Sequence, residues 1–417
     1  MNKKKLSINQ IILLFSLYTT QYLGLAFFSV ALIGILRQEN MPLEQLGLIY
    51  MLGLFWVFRF LWAPFIDKIK FKNIGHYKGW IIIFQSLMVV VLIAISMFDV
   101  ATQLSKIIFL SLFFAFFASS QNIALDALVY KSTFKSQRSL ALSIKTSSGL
   151  IGMVLGGGVG LIIYSYTNWQ YTILLISFVT SLSLIQLFFY KEPQIKEKIM
   201  GENKIDFRQY IEFWRGKKRK MWLVLLLIYP ASIASAYGMT TPILVDLGWS
   251  LDKIGYIVNI IGYGFGIIAS FCATWFIKYF GKKNSLVIAA IGQSIGALLL
   301  LVLFYDSSDY VVMFVVGFIF VFYTPSAVIM STLMMNQASK KSPAAQFAIQ
   351  HSFFMFAGIF FTSISLTLSG IFGYSNVIII CSLIGGFAAL LSLKIENITK
   401  KEVQNTDDRA TIISPST

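Results

Sequence analysis

Twelve long apolar runs follow one another along this chain of 417 residues, and most of its lysine and arginine lies in every second gap between them. Each run is long enough to cross a bilayer, which takes about 20 mainly apolar residues in a helix. The runs are residues 8–36, 43–66, 79–98, 105–128, 139–164, 168–190, 221–245, 254–277, 285–305, 309–335, 344–370 and 373–394. The sequence therefore predicts an all-α integral membrane protein with twelve transmembrane helices, numbered one to twelve in chain order.

Positive charge distinguishes the two sides of this predicted bundle. The N-terminus, the C-terminal tail and the gaps after even-numbered helices hold 29 of the 34 lysines and arginines, while the other gaps hold three. An excess of lysine and arginine marks the cytoplasmic loops of membrane proteins. We therefore expect a multi-pass protein of the cell inner membrane with both termini in the cytoplasm.

Composition excludes several other classes of protein. Hydrophobic residues make up 57% of the chain and charged residues 12%, which is incompatible with a soluble domain of this length. The formal charge of +16 does not predict a nucleic-acid partner, because these cations flank membrane helices and would meet anionic lipid headgroups. Cys272 and Cys381 lie inside apolar runs, so neither a disulfide framework nor a thiolate metal site is expected. No cofactor is expected, and no His/Asp or metal cluster of the kind a membrane enzyme needs is evident.

The first apolar stretch is too long for the hydrophobic region of a cleaved signal peptide, so we expect it to remain as a helix. The longest hydrophilic stretch inside the chain then separates six helices from six. We predict an N-terminal six-helix bundle over 1–190, a cytoplasmic linker over 191–220, a C-terminal six-helix bundle over 221–395 and a disordered cytoplasmic tail over 396–417. This layout resembles the major facilitator superfamily, whose halves are parallel repeats.

The linker carries an aromatic pattern. Phe207, Tyr210, Ile211 and Trp214 recur at the spacing of one helical face and precede a run of basic residues. The pattern predicts an amphipathic helix on the cytoplasmic membrane surface. A flexible tether with a few aromatic residues is the alternative interpretation.

Three ionisable residues stand out because they lie well inside the apolar runs, where an isolated charge costs several kcal/mol. At ~1.5 Å per residue, Arg59 lies ~12 Å inside the cytoplasmic end of helix two, Asp126 ~8 Å along helix four and Lys145 ~10 Å along helix five. Two cations and one anion at one level leave a surplus positive charge. We expect Asp126 to pair with one cation while the other faces the cavity and attracts an anionic group of a substrate. The alternatives are a closed network that locks the inward gate and a lysine that snorkels to the membrane interface.

Further polar and aromatic residues inside the runs are candidate substrate contacts. They are Tyr18, Gln21 and Tyr22 on helix one, Gln121 and Asn122 on helix four, Tyr229 on helix seven, Tyr323 on helix ten and Gln350 on helix eleven. Interhelical hydrogen bonding is the alternative role for such side chains. His351 has the pKa range that suits proton coupling, although a lone histidine inside a helix is more often a packing residue.

Two segments resemble signatures of one branch of the superfamily, that of the muropeptide permeases and acetyl-CoA transporters. They are the stretch from Arg59 to Asp67 (RFLWAPFID), followed by residues 75–80 (GHYKGW), and the stretch 120–128 (SQNIALDAL). Within the branch, the bacterial siderophore permeases of the rhizobactin and pyochelin type look most similar. The Asp126-Ala-Leu triplet, the segment 155–158 (LGGG) and Gln350 carry that similarity, whereas residues 344–348 (AAQFA) are closer to the muropeptide pattern.

The chain also departs from these patterns. Tyr22 and the Leu-Gly pair at 23–24 stand where the siderophore group has a glycine and a proline, and Asn122 replaces the branch's first acidic residue. The loss of that acid removes one candidate proton carrier and leaves Asp126. Asp67 is interpreted as part of the gating loop after helix two.

The resemblance implies a function. We expect a secondary active transporter, active as a monomer, that works by alternating access with its site between the halves. The expected substrate is a ferric siderophore imported with protons, and Arg59, Asp67, Asp126 and His351 are expected to serve coupling or gating. An anhydro-muropeptide permease is the alternative, and an exporter of drugs or metabolites a more distant one.

Overall fold

The computed structural model describes residues 8–69, 71, 74–100, 102–132, 138–192, 214, 217–337 and 343–394. Within these ranges there is no strand, and twelve helices are long and apolar enough to cross a membrane. In chain order they are α1 Ile8–Gln38, α2 Leu43–Leu61, α3 His76–Ser96, α4 Leu104–Val129, α5 Ile144–Tyr166, α6 Trp169–Phe189, α7 Arg219–Asp246, α8 Leu251–Ala269, α9 Lys278–Phe304, α10 Asp309–Met334, α11 Gln346–Phe372 and α12 Tyr374–Leu393. Each falls on one predicted run, so the predicted fold class is confirmed.

Helices α1–α6 form the N-terminal half and α7–α12 the C-terminal half. Within the first half α1 packs on α5, and α3 packs on α4 and α6. Within the second, α7 packs on α11 and α12. We call the membrane face at which α1 begins and α12 ends the terminal face, and the other the opposite face.

The apolar core shows where the two halves meet. One buried cluster contains residues of both halves, including Phe28 of α1 and Val258 of α8. Two further clusters each contain residues of one half only: one surrounds Leu17 of α1, the other surrounds Trp222 of α7. The shared cluster lies toward the opposite face and the separate clusters toward the terminal face. The halves are therefore joined at the opposite face and separate toward the terminal face.

Three helix pairs build this junction, which we call the seam: α1 with α7, α2 with α11, and α5 with α8. Glycines allow the helices to approach closely there. A Cβ on Gly47 of α2 would lie 2.5 Å from the carbonyl oxygen of Ser363 of α11, and a Cβ on Gly255 of α8 would lie 2.6 Å from that of Gly158 of α5. No larger residue fits at either crossing without moving a helix.

Three helices change to π-helical geometry where they approach the seam. The π-helical turns are Phe27–Ala31 in α1, Val154–Val159 in α5 and Gly255–Ile261 in α8. Such turns break the regular hydrogen-bond ladder and occur often at functional positions. The glycines 156–158 lie in the π-helical turn of α5 and bring this helix close to both α1 and α8.

The segment 75–80, recognised in the sequence, has a structural role. The Glu192 carboxylate accepts hydrogen bonds from the backbone N–H groups of Tyr77 and Lys78, at 3.4 and 3.0 Å, and so caps the start of α3. Lys78 in turn donates to the carbonyl oxygens of Phe188 and Tyr190, at 3.2 and 2.6 Å, at the end of α6. These reciprocal contacts fix α3 to the last helix of its half.

Some predicted features fall outside the described residues. The amphipathic pattern over Phe207, Tyr210 and Ile211 and the tail 396–417 are among them. Trp214 is described, and its ring packs against Phe353 of α11 with centroids 5.4 Å apart and planes almost perpendicular.

Gly156 provides a test of the packing inside the N-terminal half. A Cβ there would lie 2.0 Å from the carbonyl oxygen of Leu23 on α1, whereas Gly386 of α12 has nothing within 4 Å. We expect Gly156→Ala to reduce the free energy of unfolding in detergent by about 1–3 kcal/mol through overpacking. The control Gly386→Ala should leave it unchanged or raise it, because alanine favours a helix. Equal effects of the two variants would contradict this packing.

Candidate functional site

Lys145 and Asp126 form an ion pair between α5 and α4. The Lys145 ammonium lies 2.7 Å from both Asp126 carboxylate oxygens, and the Tyr18 hydroxyl of α1 donates to Oδ1 at 2.8 Å. The ammonium also lies over the Tyr18 ring, 5.5 Å from its centroid. Side-chain exposure is 24% for Lys145 and 34% for Asp126, so water reaches the pair. The carboxylate is thus held by three helices of the N-terminal half.

Arg59 is the second cation near Asp126. Its Nη1 lies 3.8 Å from Oδ2 of Asp126 and donates a hydrogen bond to the side-chain oxygen of Asn122. The Arg59 side chain is 33% exposed. Because Asp126 can neutralise one cation and sits closer to Lys145, the group of three carries a net positive charge at the exposed guanidinium.

The backbone of α2 changes geometry at Arg59. Residues Arg59–Leu61 form a 3-10 turn, and a short helix, Ala63–Lys68, begins directly afterwards with Pro64 in its first turn. Proline has no N–H to donate and is favoured at the start of a helix, so it ends α2 here. Asp67 lies in the short helix, and its side chain is outside the described residues.

A second layer of amides lies behind the charges. Gln21 is fully buried on α1, and its oxygen accepts a hydrogen bond from the Asn122 amide at 2.8 Å, while its own nitrogen has no partner. Tyr22 is partly buried and faces Gly149 of α5. Tyr18, Gln21, Tyr22 and Asn122 therefore lie close to the ion pair.

Gln121 belongs to a different network, inside the N-terminal half. It is fully buried and donates to the side-chain oxygen of Gln85 on α3. Gln85 donates in turn to the Thr180 carbonyl at 2.8 Å and the Ser183 hydroxyl at 2.6 Å, both on α6. The sequence analysis did not predict this polar network, although Gln85, a glutamine inside an apolar run, indicated it. Its geometry is that of interhelical hydrogen bonding, the alternative role for Gln121.

Two predicted contacts of the C-terminal half lie inside that half. The Tyr229 hydroxyl donates to the Leu286 carbonyl at 3.1 Å, and the side chain is 1% exposed. Gln350 is 0% exposed: its oxygen accepts from the Trp222 indole at 2.7 Å, and its nitrogen donates to the Met334 and Gln346 carbonyls. In this conformation neither side chain has a free polar group for a substrate.

Tyr323 and His351 are the predicted residues of the C-terminal half that remain accessible. Tyr323 is 38% exposed, with its ring against Phe320. His351 is partly buried, lies beside the Phe347 ring at 5.8 Å, and is within electrostatic range of Arg59. His351 therefore faces the cationic group of the N-terminal half across the space between the halves.

Above this space the opposite face is closed by a charged contact that sequence reasoning missed. Arg37 of α1 donates to both carboxylate oxygens of Asp246 of α7, at 2.5 and 2.7 Å, and the Tyr374 hydroxyl of α12 donates to the same carboxylate at 2.9 Å. Arg37 also donates to the Met41 carbonyl at 2.8 Å. The only signal in the sequence was a single arginine in a gap with little positive charge. The contact ties the two halves together.

The ion pair yields a stability prediction. We expect Asp126→Leu to lower the free energy of unfolding by about 1–3 kcal/mol, less than the loss at a fully buried pair because water reaches this one. Lys145→Met should lower the free energy of unfolding by less, because Asp126 keeps its hydrogen bond from Tyr18 and has Arg59 nearby. The double variant should recover most of the loss, because an apolar pair replaces the ionic one. Denaturant titration in detergent measures these values, and additive losses in the double variant would contradict the pairing.

The closing contact yields a second prediction. Arg37→Gln should increase the population with an open opposite face, measured as a longer distance between spin labels at Gln38→Cys and Ser250→Cys after replacement of the native cysteines. Lys253→Gln is the matched control, because Lys253 pairs with Asp309 at the same face but within the C-terminal half. A shift of similar size in both variants would show that the Arg37 contact has no special role in closure.

Similar proteins were found among relatives of known sequence. Putative transporter AmpG 3 of Rickettsia prowazekii (strain Madrid E) is 23% identical over 376 residues, covering 85% of this chain and 87% of the relative. Putative transporter AmpG 4 of Rickettsia felis is 25% identical over 245 residues, 56% of this chain and 59% of the relative. The anhydromuropeptide permease of Escherichia coli (strain K12) is 25% identical over 244 residues, 58% of this chain and 50% of the permease. The chain thus spans between half and three fifths of the last two relatives.

Solved structures share the architecture. A POT family transporter in complex with a thioalcohol-conjugated peptide superposes with a TM-score of 0.72 at 13% identity, covering 94% of this chain and 96% of that one. A bacterial homologue of the human lysosomal transporter Spinster, inward-facing and unoccupied, gives a TM-score of 0.70 at 12% identity, covering 94% and 97%. At such identities the likeness shows the fold alone. A family model of the Major Facilitator Superfamily also matches residues 14–362, and on this match, which spans most of the chain, the protein belongs to the Major Facilitator Superfamily.

Proposed function

We propose that the protein is a secondary transporter that imports an anionic, amphipathic peptidoglycan fragment of the anhydro-muropeptide class by alternating access. The observation that carries the proposal is the guanidinium of Arg59, which has only a 3.8 Å contact with the Asp126 carboxylate and is exposed between two halves that are joined at one face only. The names of the relatives, AmpG transporters and an anhydromuropeptide permease, favour this substrate class over a ferric siderophore.

The chemistry of the cavity fits such a ligand. Muropeptides carry peptide carboxylates, and an arginine can bind a carboxylate through two parallel hydrogen bonds. Arg59 has one hydrogen bond to Asn122 and a distant contact with Asp126, so other N–H groups of its guanidinium are available to a substrate carboxylate. Tyr323, an expected substrate contact on α10, has an exposed aromatic ring and a hydroxyl that suit the uncharged part of the substrate. Arg59 then serves as the anion anchor and Tyr323 as a proposed second contact.

Orientation and coupling complete the proposal. The positive-inside rule assigns the terminal face to the cytoplasm of the inner membrane, so the cavity opens inward in this conformation. Asp126 is the proposed proton carrier, because protonation would release Lys145 and free a second cation beside Arg59. His351 is the proposed second coupling residue, because it lies within electrostatic range of Arg59 and Lys145 and would respond to a change in their pairing. The protein is proposed to act as a monomer.

Uptake in a deletion strain, with and without the gene and with and without a protonophore, tests the substrate. We expect gene-dependent, protonophore-sensitive accumulation of a radiolabelled anhydro-muropeptide. Parallel samples receive iron-55 as several ferric siderophores. Accumulation of a ferric siderophore but not of the muropeptide would overturn the proposal in favour of siderophore import. Gene-dependent loss of label from preloaded cells would instead indicate an exporter.

Arg59→Gln tests the anchor. We expect about 10- to 150-fold weaker apparent affinity for the muropeptide, the value of one charge-assisted hydrogen bond, with stability close to that of the wild type because Lys145 and Asp126 remain paired. The control Lys253→Gln removes a cation at the opposite face and should transport normally. Unchanged affinity in a folded Arg59→Gln protein would show that the substrate anion binds elsewhere.

A further inference from the structure

Asn259 of α8 has an amide with no partner. The side chain is 0% exposed, and neither its oxygen nor its nitrogen has a hydrogen bond. Buried polar groups are nearly always paired, so one with both atoms unpaired requires an explanation. Leaving such an amide unpaired is expensive, which disfavours the conformation in which it is buried.

The position of Asn259 suggests the explanation. It lies in the π-helical turn Gly255–Ile261, and it faces the π-helical turn of α5 across the seam. A Cβ on Gly157 would lie 3.4 Å from the Asn259 oxygen, and one on Gly158 would lie 3.2 Å from the Asn259 Cβ. The amide is therefore enclosed by glycines of the other half, with Val30 of α1 packed against the same Gly157.

Any motion that parts the halves at the opposite face uncovers this amide. Asn259 belongs to the C-terminal half and Gly157 to the N-terminal half, so the contact is lost when the seam opens. Asn259 is eight residues from the start of α8, or ~12 Å inside the opposite face. It would then lie on the wall of a cavity open to that face.

We propose that Asn259 is a substrate-contacting residue that is hidden in this conformation and exposed when the opposite face opens. Its amide both donates and accepts, so it suits a neutral amide or hydroxyl of the substrate, whereas Arg59 suits the anion. The inference rests on the proposed function for the identity of that substrate, a sugar peptide rich in both groups. The unpaired amide also favours opening of the empty protein, so that the residue becomes available before substrate binds.

Gln293 of α9 offers a matched control. It is 1% exposed, and its side-chain nitrogen is also unpaired, but its backbone carbonyl accepts from Ser232 of α7, within the same half. Gln293→Leu and Asn259→Leu therefore each remove a buried amide nitrogen that has no hydrogen-bond partner. Gln293 lies away from the seam, whereas Asn259 lies at the seam.

The first measurement uses spin labels at Gln38→Cys and Ser250→Cys, without substrate. Asn259→Leu should raise the ratio of the short to the long distance by on the order of tenfold, because the closed seam no longer buries an unpaired amide. Asn259→Asp should move the ratio the other way, because a carboxylate is more costly to bury than an amide. Gln293→Leu should match the wild type. No shift in either Asn259 variant, or an equal shift in Gln293→Leu, would overturn the inference.

The second measurement separates contact from conformation. In the Arg37→Gln background, which favours an open opposite face, Asn259→Leu should weaken binding of radiolabelled anhydro-muropeptide by about tenfold, the upper value of one neutral hydrogen bond. Unchanged binding would overturn the contact. If the wild type imports a ferric siderophore instead, that complex is the probe, and the proposed function fails while Asn259 is still tested. If it imports neither, the proposed substrate contact is overturned together with the proposed function, and the distance ratios then test only the effect of the buried amide on closure.

Discussion

The ion pair between Lys145 and Asp126 is the interaction on which the arrangement of the N-terminal half depends. A lone charge inside a membrane helix is costly, so each of the three intramembrane charges needs a partner or water. One carboxylate cannot serve two cations equally, and the geometry gives it to Lys145, with Tyr18 as a second donor. Arg59 is left with a longer contact to the carboxylate, at 3.8 Å, a hydrogen bond to an amide oxygen, and solvent. The exposed positive charge of the cavity is thus a direct result of how the acid is paired.

The seam solves a different problem, since it has to be tight enough to exclude water and still able to separate. Glycine contacts between α5 and α8 bring the two backbones close together, and two of the π-helical turns lie at these contacts. The Arg37 contact with Asp246 and Tyr374 adds a directional bond at the rim, where water can replace it. The unpaired amide of Asn259 opposes closure. Closure therefore results from opposing contributions that leave both conformations accessible.

The sequence predicted the helices well because hydrocarbon imposes a length and a composition on each of them. It also predicted that Arg59, Asp126 and Lys145 lie at one level, since depth follows from residue count. It could not assign the ion pair, because both cations lay at the same estimated depth and the 3-10 turn at Arg59 was not evident. Gln350 and His351 show the same limit: neighbours on a helix point about 100° apart, so one is locked inside the half and the other faces the centre. The contact between Arg37 and Asp246 joins residues 209 positions apart, which no local pattern reveals.

The charge left on Arg59 has an electrical consequence. When the cavity of the empty protein closes at one face and opens at the other, Arg59 loses access to one aqueous phase and gains access to the other. Its positive charge therefore crosses part of the electric field of the membrane. A full elementary charge crossing 100 mV corresponds to about 2.3 kcal/mol. With the proposed orientation, an interior-negative potential favours the empty conformation described above, and a bound monoanion would cancel that bias. The loaded and unloaded proteins would then respond differently to the same voltage, although their backbones follow the same path.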